Sequence, residues 1–149
     1  MESPNAKKIE EILEQEGMYV STTSGVSMQP LFRDRRDTVI ISPVQGRLKK
    51  YDLPLYKRGD QYILHRVVKV LPDSYVICGD NCISLERDIT DDRIVGVMTA
   101  FYRKDRYGTP DDFWYKVYVR VRCNTFYLRV FLRKTHWFVR SLVKKEHNE

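Results

Sequence analysis

Long apolar runs are missing from this 149-residue chain. None approaches the roughly 18 consecutive apolar residues that a membrane-spanning helix needs, so no transmembrane helix is expected. Met1 to Gly17 is polar and charged, which excludes a secretory signal peptide. Cysteine is scarce, with Cys78, Cys82 and Cys123 making an odd count. Cys78 and Cys82 lie close together, but no second Cys or His pair completes a zinc site, so no metal or other cofactor is expected. Three reduced thiols favour a cytosolic face. Internal repeats and low-complexity segments are absent as well. Acidic residues nearly vanish from the tail. Residues 1–112 hold 17 Lys/Arg against 18 Asp/Glu, whereas residues 113–149 hold 9 against 2. The net charge of +6 therefore belongs to the C-terminal segment, which suits an anionic partner.

What is present, 42% apolar and 31% charged residues, describes one globular domain of ordinary size. Residues 5–16 read as a helix, with Asn5 as its cap, Ile9, Ile12 and Leu13 on one face, and Gly17 at the C-terminal cap position. Met18 to Thr22 is extended, and Thr38 to Ser42 reads as a buried strand. Leu53 to Tyr56 and Gln61 to Val70 form the two arms of a hairpin, with Gly59 in its turn. Pro72-Asp73 turns the chain into a strand from Ser74 to Cys78, and Ile94 to Tyr102 is another, rich in β-branched and aromatic residues. The fold class expected is mainly β (α+β). A short N-terminal helix (1–17) precedes a twisted β body (18–112), and a basic amphipathic segment (113–149) ends the chain.

Val117, Val119 and Val121 alternate with polar residues, which leaves strand and helix both open there; beyond Thr125 the pattern is helical. Arg129, Arg133, His136, Arg140 and Lys144 recur every three or four residues as one basic stripe. Leu128, Phe131, Leu132, Phe138, Val139 and Leu142 cover much of the other side, and Trp137 suits an interfacial anchor. Three roles fit this segment. It packs on the β body and shows its basic face to water, or residues 113–145 meet an anionic membrane surface, or it binds nucleic acid, the least favoured partner.

The chemistry concentrates in three short motifs. Ser24-Gly25-Val26-Ser27-Met28-Gln29-Pro30 is a small-residue turn that presents Ser27, the candidate nucleophile. A serine hydroxyl is weak at neutral pH and needs an adjacent base and an exposed position. Backbone N–H groups around Ser27 and Met28 suit a developing oxyanion. His65, in His65-Arg66-Val67, is the candidate base, on the strand face shared with Ile63 and Val67. An imidazole near its ordinary pKa is largely neutral at pH 7 and accepts a serine proton. His136 and His147 lie in the basic tail and are assigned no catalytic role. Gly79-Asp80-Asn81 follows a strand, and a carboxylate there would orient His65, with Asp80, Glu86 and Asp88 as the candidates.

In this order the three motifs resemble the type I signal peptidase superfamily, which also includes the self-cleaving SOS-type repressors. The likeness covers roughly residues 20–100. His65-Arg66-Val67 is similar to the branch that pairs serine with histidine, where bacterial signal peptidases pair it with lysine. The resemblance implies a serine endopeptidase that forms an acyl-enzyme, with Ser27 attacking and His65 as general base. It also implies a twisted β-rich body that binds its peptide or protein substrate as an added strand, with Met18 to Thr23 as one wall of the groove. Gly25, Met28 and Pro30 fall at the oxyanion and substrate-binding positions. Two departures stand out. Where the histidine branch has its orienting aspartate this chain has Glu86, and the Ser and Asp of the bacterial branch are replaced by Leu85 and Arg87. No apolar anchor precedes Ser27, so a cytoplasmic or peripheral membrane protein is expected. A self-cleaving regulatory peptidase is the alternative within the family, although too few residues precede the turn for a helix-turn-helix. A non-enzymatic lipid- or nucleic-acid-binding module using the basic tail is the alternative outside it.

Overall fold

A computed structural model describes residues 8–146 of the chain. Asn5, His147 and the side chains of Val139, Leu142 and Lys144 lie outside the described residues. Helix α1 (Ile9–Glu16) starts after Lys8 and ends at Gly17, whose N–H donates to the Leu13 carbonyl at 3.0 Å. Among the described residues nine strands follow: β1 (Tyr19–Thr22), β2 (Thr38–Ser42), β3 (Pro54–Arg58), β4 (Gln61–Leu64), β5 (Arg66–Val70), β6 (Tyr75–Cys78), β7 (Glu86–Ile89), β8 (Ile94–Arg103) and β9 (Arg106–Gly108). A short 3-10 turn (Asp91–Arg93) precedes β8, and helices α2 (Phe113–Asn124) and α3 (Phe126–Glu146) come last among the described residues. The molecule is α+β with strands predominating.

The larger sheet runs β1-β2-β8-β3-β4, with β9 also on β8, and the smaller runs β5-β6-β7; every pairing is antiparallel. The ten-residue β8 is the spine of the larger sheet, pairing with β2 along one side and with β3 and β9 along the other. This leaves β1 and β4 as edge strands. Leu13 from α1, Met28 and Phe32 after the serine turn, Ile41 and Met98 from the sheet, and Tyr115 and Val119 from α2 fill one core. Tyr56, Val67, Tyr75, Ile77 and Ile89 fill a second, where the two sheets meet.

The expected hairpin needs one correction. Its second arm, Gln61 to Val70, is two strands. β4 stays on β3 in the larger sheet, and β5 crosses to β6 in the smaller one, with His65 as the single residue between them. The apolar pattern runs on through the crossing, so periodicity alone reads one strand. His65 consequently sits at the junction of the sheets. Two strands were not expected at all. Glu86–Ile89 and Arg106–Gly108 are short and mostly polar, and only pairing with β6 and β8 makes them strands. The open choice over Val117–Val121 resolves to helix, because Tyr115 and Val119, four apart, are buried while Val117 and Val121 face out.

Candidate active site

The turn that carries Ser27 is held from its base. Thr23 donates to the Asp37 carbonyl through its N–H at 2.8 Å and its hydroxyl at 3.0 Å, and the Arg35 N–H closes onto the Thr23 carbonyl at 2.8 Å. The buried Asp37 carboxylate accepts from the Arg36 guanidinium and from the N–H groups of Arg33 and Lys104. Burial alone would raise its pKa, but these donors outweigh it and hold the carboxyl below the usual range. Gly25 takes a positive φ of 88° that suits glycine, and its N–H donates to Asp34 Oδ1 at 2.7 Å. Met28 sinks into the core, and Pro30, after a cis Gln29–Pro30 bond, is exposed. Ser27 itself is half-buried. Among the described residues its hydroxyl meets no partner, and the N–H groups of Ser27 and Met28 donate to no protein acceptor.

The carboxylate beside His65 is Glu86. Its Oε1 lies 3.0 Å from His65 Nδ1, accepts the Tyr56 hydroxyl at 2.7 Å and lies 3.2 Å from Arg58 Nη1. Burial would raise the Glu86 pKa, but the Tyr56 hydrogen bond, the Arg58 charge and His65 together lower it, so this carboxylate is ionised and accepts. An accepting Glu86 assigns the proton to Nδ1 of neutral His65. Burial lowers the pKa of His65 below 6.5 against the opposing pull of Glu86, so the ring is neutral at pH 7. Nε2 is then the basic nitrogen. A Cβ built on Gly79 would lie 2.8 Å from the Ser27 carbonyl oxygen, 2.9 Å from His65 Nε2 and 2.7 Å from Cys82 Sγ. Nε2 therefore faces the Ser27 turn across Gly79, and only a residue without a side chain permits that approach.

Asp80 has a different role from the one expected of it. Its two oxygens grip Arg66, with Nε at 2.7 Å and Nη2 at 2.8 Å, and both side chains are buried. Neighbouring residues on a strand point to opposite sides, so the crossing that turns His65 to the cleft turns Arg66 to Asp80. Tyr118 of α2 also donates to Asp80, at 2.9 Å, and Arg122 and Arg129 share its carbonyl at 2.8 and 3.1 Å. Asn81 links onward in both directions. Its N–H donates to the Ser27 carbonyl at 2.7 Å and its Nδ2 to the Val26 carbonyl at 3.2 Å, while Arg133 of α3 donates to its Oδ1 and its carbonyl. The Gly79-Asp80-Asn81 loop thus ties the serine turn to both C-terminal helices. Asp88 is exposed on β7, at a positive φ of 58°, and does not approach His65.

Ser27, His65 and Glu86 line one cleft of about 450 Å³, floored by Met28, Val39 and Leu55. Residues of β1 and of the following Thr23 and Ser24 form one wall, and residues of β4 form the other. Sequence reasoning missed Tyr56, Arg58 and Arg66. Their parts depend on contacts across 9 to 49 positions of chain, and the one local cue was the alternation that sets Arg66 opposite His65. Among the described residues no cluster of three or more His, Cys, Asp or Glu is placed to hold a metal ion. Comparison with protein-family models, with curated proteins and with solved structures finds no match.

Proposed function

We propose that this protein is a serine endopeptidase of the signal-peptidase type, in the branch that pairs serine with histidine. The observation that carries the reading is a single arrangement: Nδ1 of neutral His65 on the ionised Glu86, and Nε2 turned to the Ser27 turn in a cleft between two edge strands. A peptide adds as a strand along β1 or β4, where backbone groups stand unpaired, and this brings its scissile carbonyl to Ser27. Ser27 Oγ attacks the carbonyl carbon as its proton passes to His65 Nε2. The oxyanion forms against the free N–H groups of Ser27 and Met28. The imidazolium, stabilised by Glu86, returns the proton to the leaving amine, and the acyl-enzyme remains. Water then attacks the ester with His65 again taking the proton, and Ser27 is released. Glu86 fills the orienting role, because Asp80 is committed to Arg66.

Cys78, Cys82 and Cys123 are all free thiols, and burial pushes the Cys78 pKa up to about 12. Unpaired, unreactive thiols support a reducing, cytoplasmic setting, with the protein soluble or peripheral to a membrane. The test is labelling by a serine-reactive fluorophosphonate. Wild type is expected to label, Ser27→Ala not at all, and His65→Ala at least about a thousandfold more slowly. Equal labelling of wild type and Ser27→Ala overturns the reading.

A further inference from the structure

Amphipathic helices ordinarily bury the apolar face and show the charged one. The C-terminal helices depart from this pattern: α2 buries Tyr115 and Val119 in the core, yet it and the start of α3 also leave large apolar side chains exposed. The arginines at the start of α3 face the body: Arg129 reaches the Asp80 carbonyl and Arg133 reaches Asn81. Away from these contacts a second set of apolar side chains looks outward. The Thr125 N–H donates to the Val121 carbonyl and the Arg129 N–H to the Thr125 carbonyl, so α2 and α3 are joined through the single non-helical residue Thr125. Trp114, Val117 and Val121 share one side of α2, and Leu128 and Leu132, four apart, share one side of α3. They are 77%, 36%, 57%, 56% and 54% exposed. An exposed apolar band of this kind on a protein surface marks a contact site. The role in which this segment packs on the β body and shows its basic face to water holds for α2, where Tyr115 and Val119 are buried and Lys116 and Arg120 are exposed, but not for Arg129 and Arg133 of α3, which turn to the body.

We propose that this band is the docking surface for an anionic lipid bilayer, with α2 and α3 lying in the plane of its interface. Charge selects this occupant. Residues 113–149 carry 9 Lys/Arg against 2 Asp/Glu, which attracts anionic headgroups and opposes the close approach of a second, equally basic copy. Trp114 in the band suits the headgroup boundary. Among the described residues no helix is long and apolar enough to cross a membrane, so the mode is in-plane. The surface lies outside the Ser27 cleft and stands whether or not the cleft cuts peptides.

The full-length protein is sedimented with vesicles of an equimolar phosphatidylcholine–phosphatidylglycerol mixture and with vesicles of phosphatidylcholine alone. Wild type and Ser27→Ala are expected to partition equally, at least about tenfold better onto the anionic vesicles. Leu128→Glu combined with Leu132→Glu is expected to lose that partitioning at least about tenfold while melting like wild type, since both side chains are exposed. Wild type that stays in the supernatant with both vesicles overturns the proposal. That holds whether sedimentation velocity then shows the band joining two copies or the band proves to receive a protein. Undiminished binding by the glutamate variant overturns it equally.

Discussion

His65 is tuned by neighbours that pull against each other. Burial favours its neutral form, the Glu86 carboxylate favours the imidazolium, and Arg58 opposes the imidazolium again. Burial prevails, and the pKa falls below 6.5. A base that must be neutral to act loses activity as pH falls through that lowered value. The acid limb of the fluorophosphonate labelling rate is therefore expected below pH 6.5. Glu86→Gln removes the one nearby group that both bonds to His65 and raises its pKa. The limb then moves further toward acid, and the plateau rate falls about a hundredfold or more, because the imidazolium loses its counter-charge. A limb that stays in place or moves toward alkali would show that Glu86 does not act on His65.

One loop, Gly79-Asp80-Asn81, receives side chains from both C-terminal helices. Asp80 grips buried Arg66 of β5 and receives Tyr118 of α2, and its carbonyl gathers Arg122 and Arg129. Burial alone would lower the Arg66 pKa, but the Asp80 charge and hydrogen bonds raise it far above ordinary, so the guanidinium stays ionised within the protein. Asp80→Asn leaves that cation without its counter-charge and is expected to cost about 3 kcal/mol, read as a lower urea midpoint with an unchanged slope. A much smaller loss would mean that water reaches Arg66. The same loop holds Ser27 through Asn81, so the joint that anchors α3 also positions the serine turn.

Across the whole molecule His65, Asp37 and Glu86 push stability in one direction on acidification, against Asp52, whose carboxyl pKa is raised by burial. His65 has a lowered folded pKa, so the unfolded chain binds more protons between that value and 6.5, and stability is lost as pH falls through the window. Asp37 and Glu86 are likewise depressed, so their contributions are complete above the ordinary carboxylate range and disappear as pH drops through their folded values. The urea midpoint is expected to fall in two stages between pH 7 and pH 3, with a smaller second stage in Asp37→Asn. A midpoint that is flat or rises on acidification would contradict these shifts.

The sequence by itself determined the parts that are local. Gly17 closes α1, the Thr38–Ser42 and Ile94–Tyr102 patterns lie in β2 and β8, and α3 follows its period, because caps and periodicity act over a few neighbouring residues. It also singled out Ser27 and His65, which the structure brings to one cleft. Tertiary structure decided what depends on long-range contact. It split Gln61–Val70 at His65 between two sheets, turned α2 into a helix by burying Tyr115 and Val119, and allotted the carboxylates. Asp80, Glu86 and Asp88 are equivalent acids along the chain; Asp80 meets Arg66, Glu86 meets His65 and Asp88 meets solvent because three strands bring different partners to them. The outward turn of the apolar face is of the same kind. A helical period fixes which residues share a face, but what that face meets depends on Arg129 and Arg133 finding the Asp80–Asn81 loop.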